Sequence, residues 1–335
     1  MFVCITDRIQ RTKEKSKLKE EFVVKKIRML LAVVLLSVSL TACSSDDTIR
    51  MTTVNASMAG NVSTNENNMV SSGDKYAEVM KIINNATLQY PASNNEFEYN
   101  VYDTYIQITK YIGSIKNTDI IFPSEIDNLP VLVVGGTVNK YGSYIPVLDW
   151  LVSYGYQNGQ SNSQREVANS VTLSEGIAII EKGAFKDIIF TDKLVLPQSL
   201  LEIKHKAFMN ASFANLILPE SLINIEAYAF FSAKGYYSDR VNLNYSPNKG
   251  VEDNLKQLDV IIPKSVKQIG DCCFSDGSSD GHCIYGFGNV TILNPDLQIG
   301  NKALGKFTNG TIFGYAGSTA VKYATDNHIN FQLLG

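Results

Sequence analysis

Histidine is scarce in this chain of 335 residues: there are three, His205, His282 and His328, and each stands apart from the others. A hydrolytic triad or a zinc site needs imidazoles paired with a nucleophile or with further ligands. The signatures that carry such chemistry are missing as well. There is no His-Glu-x-x-His and no phosphate-binding loop. Gly286-Phe287-Gly288 lacks the strand-to-helix setting that a nucleotide site requires. Tryptophan occurs once, at Trp150, and cysteine five times. These absences argue against an enzyme and against a bound cofactor.

Basic residues are also short where they would matter. Met29 to Leu40 is an apolar run behind Lys25, Lys26 and Arg28, and it ends Leu40-Thr41-Ala42-Cys43. A positive flank, a short apolar core and small residues after it read as a secretory signal. The run is short for a membrane span. Residues 1–43 are therefore expected to be the signal, with translation beginning at Val24, because a leader such as Lys13-Glu14-Lys15-Ser16-Lys17 does not suit one. That segment holds nine of the 30 Lys and Arg and four of the 33 Asp and Glu, which leaves 21 against 29 and a net charge of −8. Such a balance opposes binding to nucleic acid or to an anionic membrane surface.

What the chain does have is repetition. Leu194-Val195-Leu196-Pro197-Gln198-Ser199-Leu200-Leu201-Glu202-Ile203 precedes Lys206-Ala207-Phe208, and Leu216-Ile217-Leu218-Pro219-Glu220-Ser221-Leu222-Ile223-Asn224-Ile225 precedes Tyr228-Ala229-Phe230. The period, Ile203 to Ile225, is 22 residues. Weaker copies run from Val171 to Phe185, Val260 to Phe274 and Val290 to Leu304. A unit of this length cannot bury its apolar side alone, so copies must stack, with Ile and Phe forming a shared spine. The step from Ile225 to Ile269 is 44 residues, twice the period, which implies a degenerate repeat or an insertion.

Around the repeats, residues 44–94 read as a flexible tether, with a short helix at Tyr76–Tyr90. Alternation at Phe97, Tyr99 and Val101, and again at Tyr105 to Lys110, predicts a hairpin that closes the open end of the first repeat. Two insertions interrupt the array, at 137–167 and 231–257. The first carries a short helix started by Pro146, with Trp150; the second carries Tyr236, Tyr237 and Tyr245. Aromatic surface loops suit sugar or protein contacts, and equally they patch a distorted repeat. A helix capped by Ser318 and a returning strand at Ile329–Phe331 would cover the far end.

The phrases resemble the BspA-like, treponemal-type leucine-rich repeats of bacterial surface proteins, which read approximately Leu-x-x-Ile-x-Ile-Pro-x-Ser-Val-x-x-Ile-Gly-x-x-Ala-Phe. Pro263-Lys264-Ser265-Val266-Lys267-Gln268-Ile269-Gly270 follows that pattern closely. Phe122 to Gly135 looks like the family's first repeat, and Thr311 to Ala324 is similar to its last element. The likeness covers about residues 97–335. It implies an α+β repeat solenoid: a right-handed leucine-rich array of short parallel strands with loop or short-helix backs, capped at both ends. It also implies a cell-surface protein used in adhesion to a protein or glycan. Leu40-Thr41-Ala42-Cys43 resembles the lipobox of bacterial lipoproteins, in which the cysteine is acylated, so Cys43 is the expected lipid anchor in the cell envelope.

If Leu194 and Leu196 point inward, Val195 points out. Alignment then gives an outward ladder of Ile121, Thr172, Val195, Ile217, Ile261 and Thr291, all β-branched. An exposed stripe of this kind marks a contact surface unless branching serves only the strands or the insertions cover it. Cys273 occupies the slot of Ala184, Ala207, Ala229 and Ala303 and reads as a small core residue. Neighbouring cysteines rarely point at one metal, so a buried free thiol or a Cys272–Cys283 disulfide is expected before a metal site. An envelope lipoprotein that only spaces or scaffolds other components is the alternative reading, and an enzyme stands well behind both.

Overall fold

The computed structural model describes residues 72–113, 119–149, 166–236, 255–275, 287–305 and 310–335. Its spine is a ladder of very short strands. Leu129–Val134 leads into Ile179–Ile180, Glu202–Ile203, Asn224–Ile225, Gln268–Ile269 and Gln298–Ile299, all parallel neighbours in one sheet. The register sets Val134, Ile180, Ile203, Ile225, Ile269 and Ile299 side by side. Successive residues of a strand face opposite ways, so each pair sends one side chain inward and one outward. Ile180, Ile203, Ile225 and Ile269 are fully buried.

The phenylalanines follow the same spacing. Phe185, Phe208, Phe230 and Phe274 stack ring on ring, with centroids 5.4, 5.1 and 5.1 Å apart and planes within 10° of parallel. Strand spacing of about 4.8 Å dictates this distance, and stacking adds to the burial of each ring. The backbone repeats with them. The amides of Phe185, Phe208, Phe230 and Phe274 donate to the carbonyls of Ala207, Ala229, Cys273 and Ala303. Ile225 pairs directly with Ile269 and Phe230 stacks directly on Phe274. The long 44-residue step is therefore an excursion from the array, leaving after Tyr236 and returning at Leu255, where the two pair antiparallel.

The Leu-x-Leu strands form a second set. Asp119–Phe122, Glu166–Leu173 and Ile188–Val195 are parallel neighbours in one sheet, while Leu258–Ile262, Phe287–Ile292 and Thr311–Gly314 are parallel neighbours in another. Leu216–Leu218 is not a strand. That repeat pairs earlier, through Ser212–Phe213 against Ile189–Phe190. The in–out alternation survives, since Leu216 and Leu218 are buried and Ile217 is exposed.

The expected hairpin is present, as Phe97–Tyr102 and Ile106–Tyr111, and Leu88–Ser93 adds a third antiparallel strand. Ile106–Tyr111 continues the sheet in parallel with Leu129–Val134. Residues 72–93, placed in the tether by sequence, are thus folded. Ser72–Asn85 is a helix whose Tyr76, Val79, Met80 and Ile83 lie at helical spacing and pack on Tyr105, Val133, Ile179, Leu201 and Ile223. The helix at Pro146 does not form within the described residues. Tyr144–Ile145 pairs with Thr137–Val138, and the Val147 backbone bridges the Tyr111 amide and the Ala184 carbonyl, which diverts those groups from a helical turn. At the far end, Thr319–Asp326 is a helix burying Ala320 and Ala324, and Asn330–Leu333 returns beside Thr311–Gly314. Ser318 sits before that helix without a side-chain capping bond. Thr319 anchors it instead, through its amide to the Pro295 carbonyl and its hydroxyl to the Leu297 carbonyl.

Candidate binding surface

The outward positions of the Leu-x-Leu segments form two paired rows, with Ile217 between them in the chain. Ile121 and Val195 both pair with Thr172, and Ile261 pairs with Thr291. Ile121, Ile217 and Ile261 are 65%, 68% and 57% exposed, and Val195 is 38% exposed. Thr172 and Thr291 are half-buried. Each lies on a middle strand, Thr172 between Ile121 and Val195 and Thr291 between Ile261 and Phe313, so flanking side chains shade it. Large aliphatic groups exposed this far in a row leave water against apolar surface, which a partner would release.

The remaining sequence candidates fall elsewhere. Cys43, Trp150, Tyr237, Tyr245 and Cys283 lie outside the described residues. Tyr236 ends the strand Lys234–Tyr236. Cys272 and Cys273 form no disulfide among the described residues, and Cys273 is fully buried in the alanine slot, where burial pushes its thiol pKa up. With Cys283 undescribed, the Cys272–Cys283 bridge stays an expectation.

Sequence reasoning missed a second surface, the outward face of the isoleucine ladder. Its positions read Val133, Ile179, Glu202, Asn224, Gln268 and Gln298 in register. The Ser72–Asn85 helix covers the apolar beginning. Past it lies a groove of about 640 Å³ lined by His205, Asn224, Glu226, Gln268, Asp271 and Gln298. His205 is half-buried, because its ring sits edge-on between Tyr144 of the inserted hairpin and Tyr228 of the next repeat. Burial, and then Lys206, hold its pKa below the ordinary value. The groove offers amides and carboxylates, and no nucleophile faces a base there. Among the described residues no set of three or more His, Cys, Asp or Glu side chains could hold a metal ion. No described helix is long and apolar enough to cross a membrane.

Residues 163–280 match the family described as BspA type Leucine rich repeat region, in six copies. No curated protein matches the chain. A solved structure of a leucine rich cell surface protein from Faecalibacterium prausnitzii A2-165 is 13% identical, with 68% of this chain and 76% of that chain covered and a TM-score of 0.18, too low for that likeness to carry an argument.

Proposed function

We propose, taking residues 163–280 as BspA-type leucine-rich repeats, that this chain is a cell-surface binding protein whose repeats meet a protein or glycan through the outward ridge. The supporting observation is the exposure of these outward positions: Ile121, Ile217 and Ile261 are each more than half exposed. Buried β-branched residues would need no such explanation; large exposed ones do. On this reading the array is a right-handed solenoid capped by the N-terminal antiparallel strands and the C-terminal helix. Cys43 carries the lipid that holds it in the envelope, and the stretch after Cys43 spaces it from the membrane.

The test is binding of the chain to arrays of matrix proteins and glycans, repeated with Ile217→Asp. That variant places a charge on an exposed side chain, so the fold should persist while affinity for any ligand of the ridge falls at least tenfold. Unchanged affinity would remove the ridge from the site. The spacer alternative predicts no external ligand and a constant partner in crosslinked envelope fractions.

A further inference from the structure

Where the Ser72–Asn85 helix meets the ladder, Glu202 is 3% exposed. Its Oε1 takes two hydrogen bonds, one from the Asn224 Nδ2 at 2.6 Å and one from the Tyr76 hydroxyl at 3.2 Å. Its Oε2 has no partner, and neither does Asn224 Oδ1; both atoms are closed off from solvent. The two residues are direct partners across adjacent strands. A carboxylate with one bare oxygen, beside a bare amide oxygen, would be a costly arrangement in a buried place. A single proton removes both defects. A neutral carboxyl and a primary amide form a closed ring of two hydrogen bonds, amide N–H to one carboxyl oxygen and carboxyl O–H to the amide oxygen.

We propose that Glu202 is held as the neutral acid, its Oε2–H donating to Asn224 Oδ1, and that this proton is part of the clasp by which Tyr76 fixes the N-terminal helix to the repeats. The groups around Glu202 act in both directions: burial and Glu226 favour the neutral acid, while the hydrogen bonds from Asn224 and Tyr76, with Lys204, favour the charged form. Tyr76 reaches it from the helix, with a hydroxyl whose pKa is pushed up to about 12, chiefly by burial, so it remains a donor. On the ladder side, Glu226 opposes ionisation of Glu202 and Lys204 favours it, but Lys204 is engaged by Glu181 at 2.5 Å. Burial is the largest influence and raises the Glu202 pKa above its ordinary 4.5. A raised pKa in the docked state means docking is strongest below the ordinary value and weakens as pH climbs through the raised one. Releasing the helix would uncover Val133, Ile179, Leu201 and Ile223, a second apolar face distinct from the outer ridge.

The experiment uses the full chain labelled with ¹³C at the glutamate carboxyls, with hydrogen exchange of helix amides 76–85 measured from pH 5 to pH 9. The Glu202 resonance should titrate well above the ordinary carboxylate range, and helix protection should fall at least tenfold across the same interval. Glu202→Gln replaces the acid O–H by an amide N–H donor, so it should keep the helix protected equally at both ends. Tyr76→Phe removes a donor that favours the charged form and should move the Glu202 titration upward. Titration at or below the ordinary value, helix protection that still falls with pH in Glu202→Gln, or an unmoved titration in Tyr76→Phe would each overturn the assignment.

Discussion

Each turn before the buried Ala-Phe pair needs one residue in the left-handed region. Gly183, Lys206, Tyr228, Cys272 and Lys302 occupy it, with φ of 65°, 59°, 60°, 52° and 50°. Only one of them is glycine, so nothing in the sequence flagged the position; lysine, tyrosine and cysteine conceal a shared backbone demand. For a residue with a Cβ this conformation costs roughly 1–2 kcal/mol. Lys302 is exposed, so Lys302→Gly should raise stability by up to about 1 kcal/mol in urea unfolding, the larger gain being trimmed by the freer unfolded chain. Gly183→Ala should do the opposite. Its Cβ would lie 2.3 Å from that of Tyr144, and a loss of about 1–3 kcal/mol is expected. Cys273 has alanine counterparts in the other repeats and a thiol that burial keeps protonated. It should resist thiol reagents in the native chain and react only on unfolding, while Cys272 reacts first.

At the scale of the element, the isoleucine and phenylalanine columns were legible because they recur at a fixed interval whatever lies between. The helix on the ladder was not read as a cover, although its signal was present. Residues on and just before the ladder strands run Leu132-Val133, Ala178-Ile179, Leu201 and Ile223, then turn to Lys267-Gln268. An apolar outer face that ends abruptly calls for a cover of matching length, and Tyr76, Val79, Met80 and Ile83 supply it. Glu202 was overlooked because one charged residue in a repeat ordinarily faces water. The outer ridge was legible from strict alternation, except that flanking strands shade its threonines. Phe230 stacks on Phe208 and on Phe274, so Phe230→Ala should cost about 3–5 kcal/mol in chemical denaturation.

For the whole molecule, a stacked array is nearly one-dimensional, and its stability is close to a sum over repeats and their junctions. A lesion at Phe230 lies in the interior of the Phe column and should broaden the unfolding transition or split it in two, where one near Leu304 should only lower it; calorimetry on both variants distinguishes these outcomes. The junction at the excursion makes a further demand. Because Tyr236 and Leu255 already face each other as antiparallel partners, replacing 237–254 with a two-residue Asn-Gly turn should leave the melting temperature within a few degrees.

That junction separates two tasks. The Ile and Phe columns close directly across it, Ile225 on Ile269 and Phe230 on Phe274, while Tyr236 and Leu255 meet as antiparallel partners. An engineer could therefore seat a foreign epitope at this port and leave the ridge as it is.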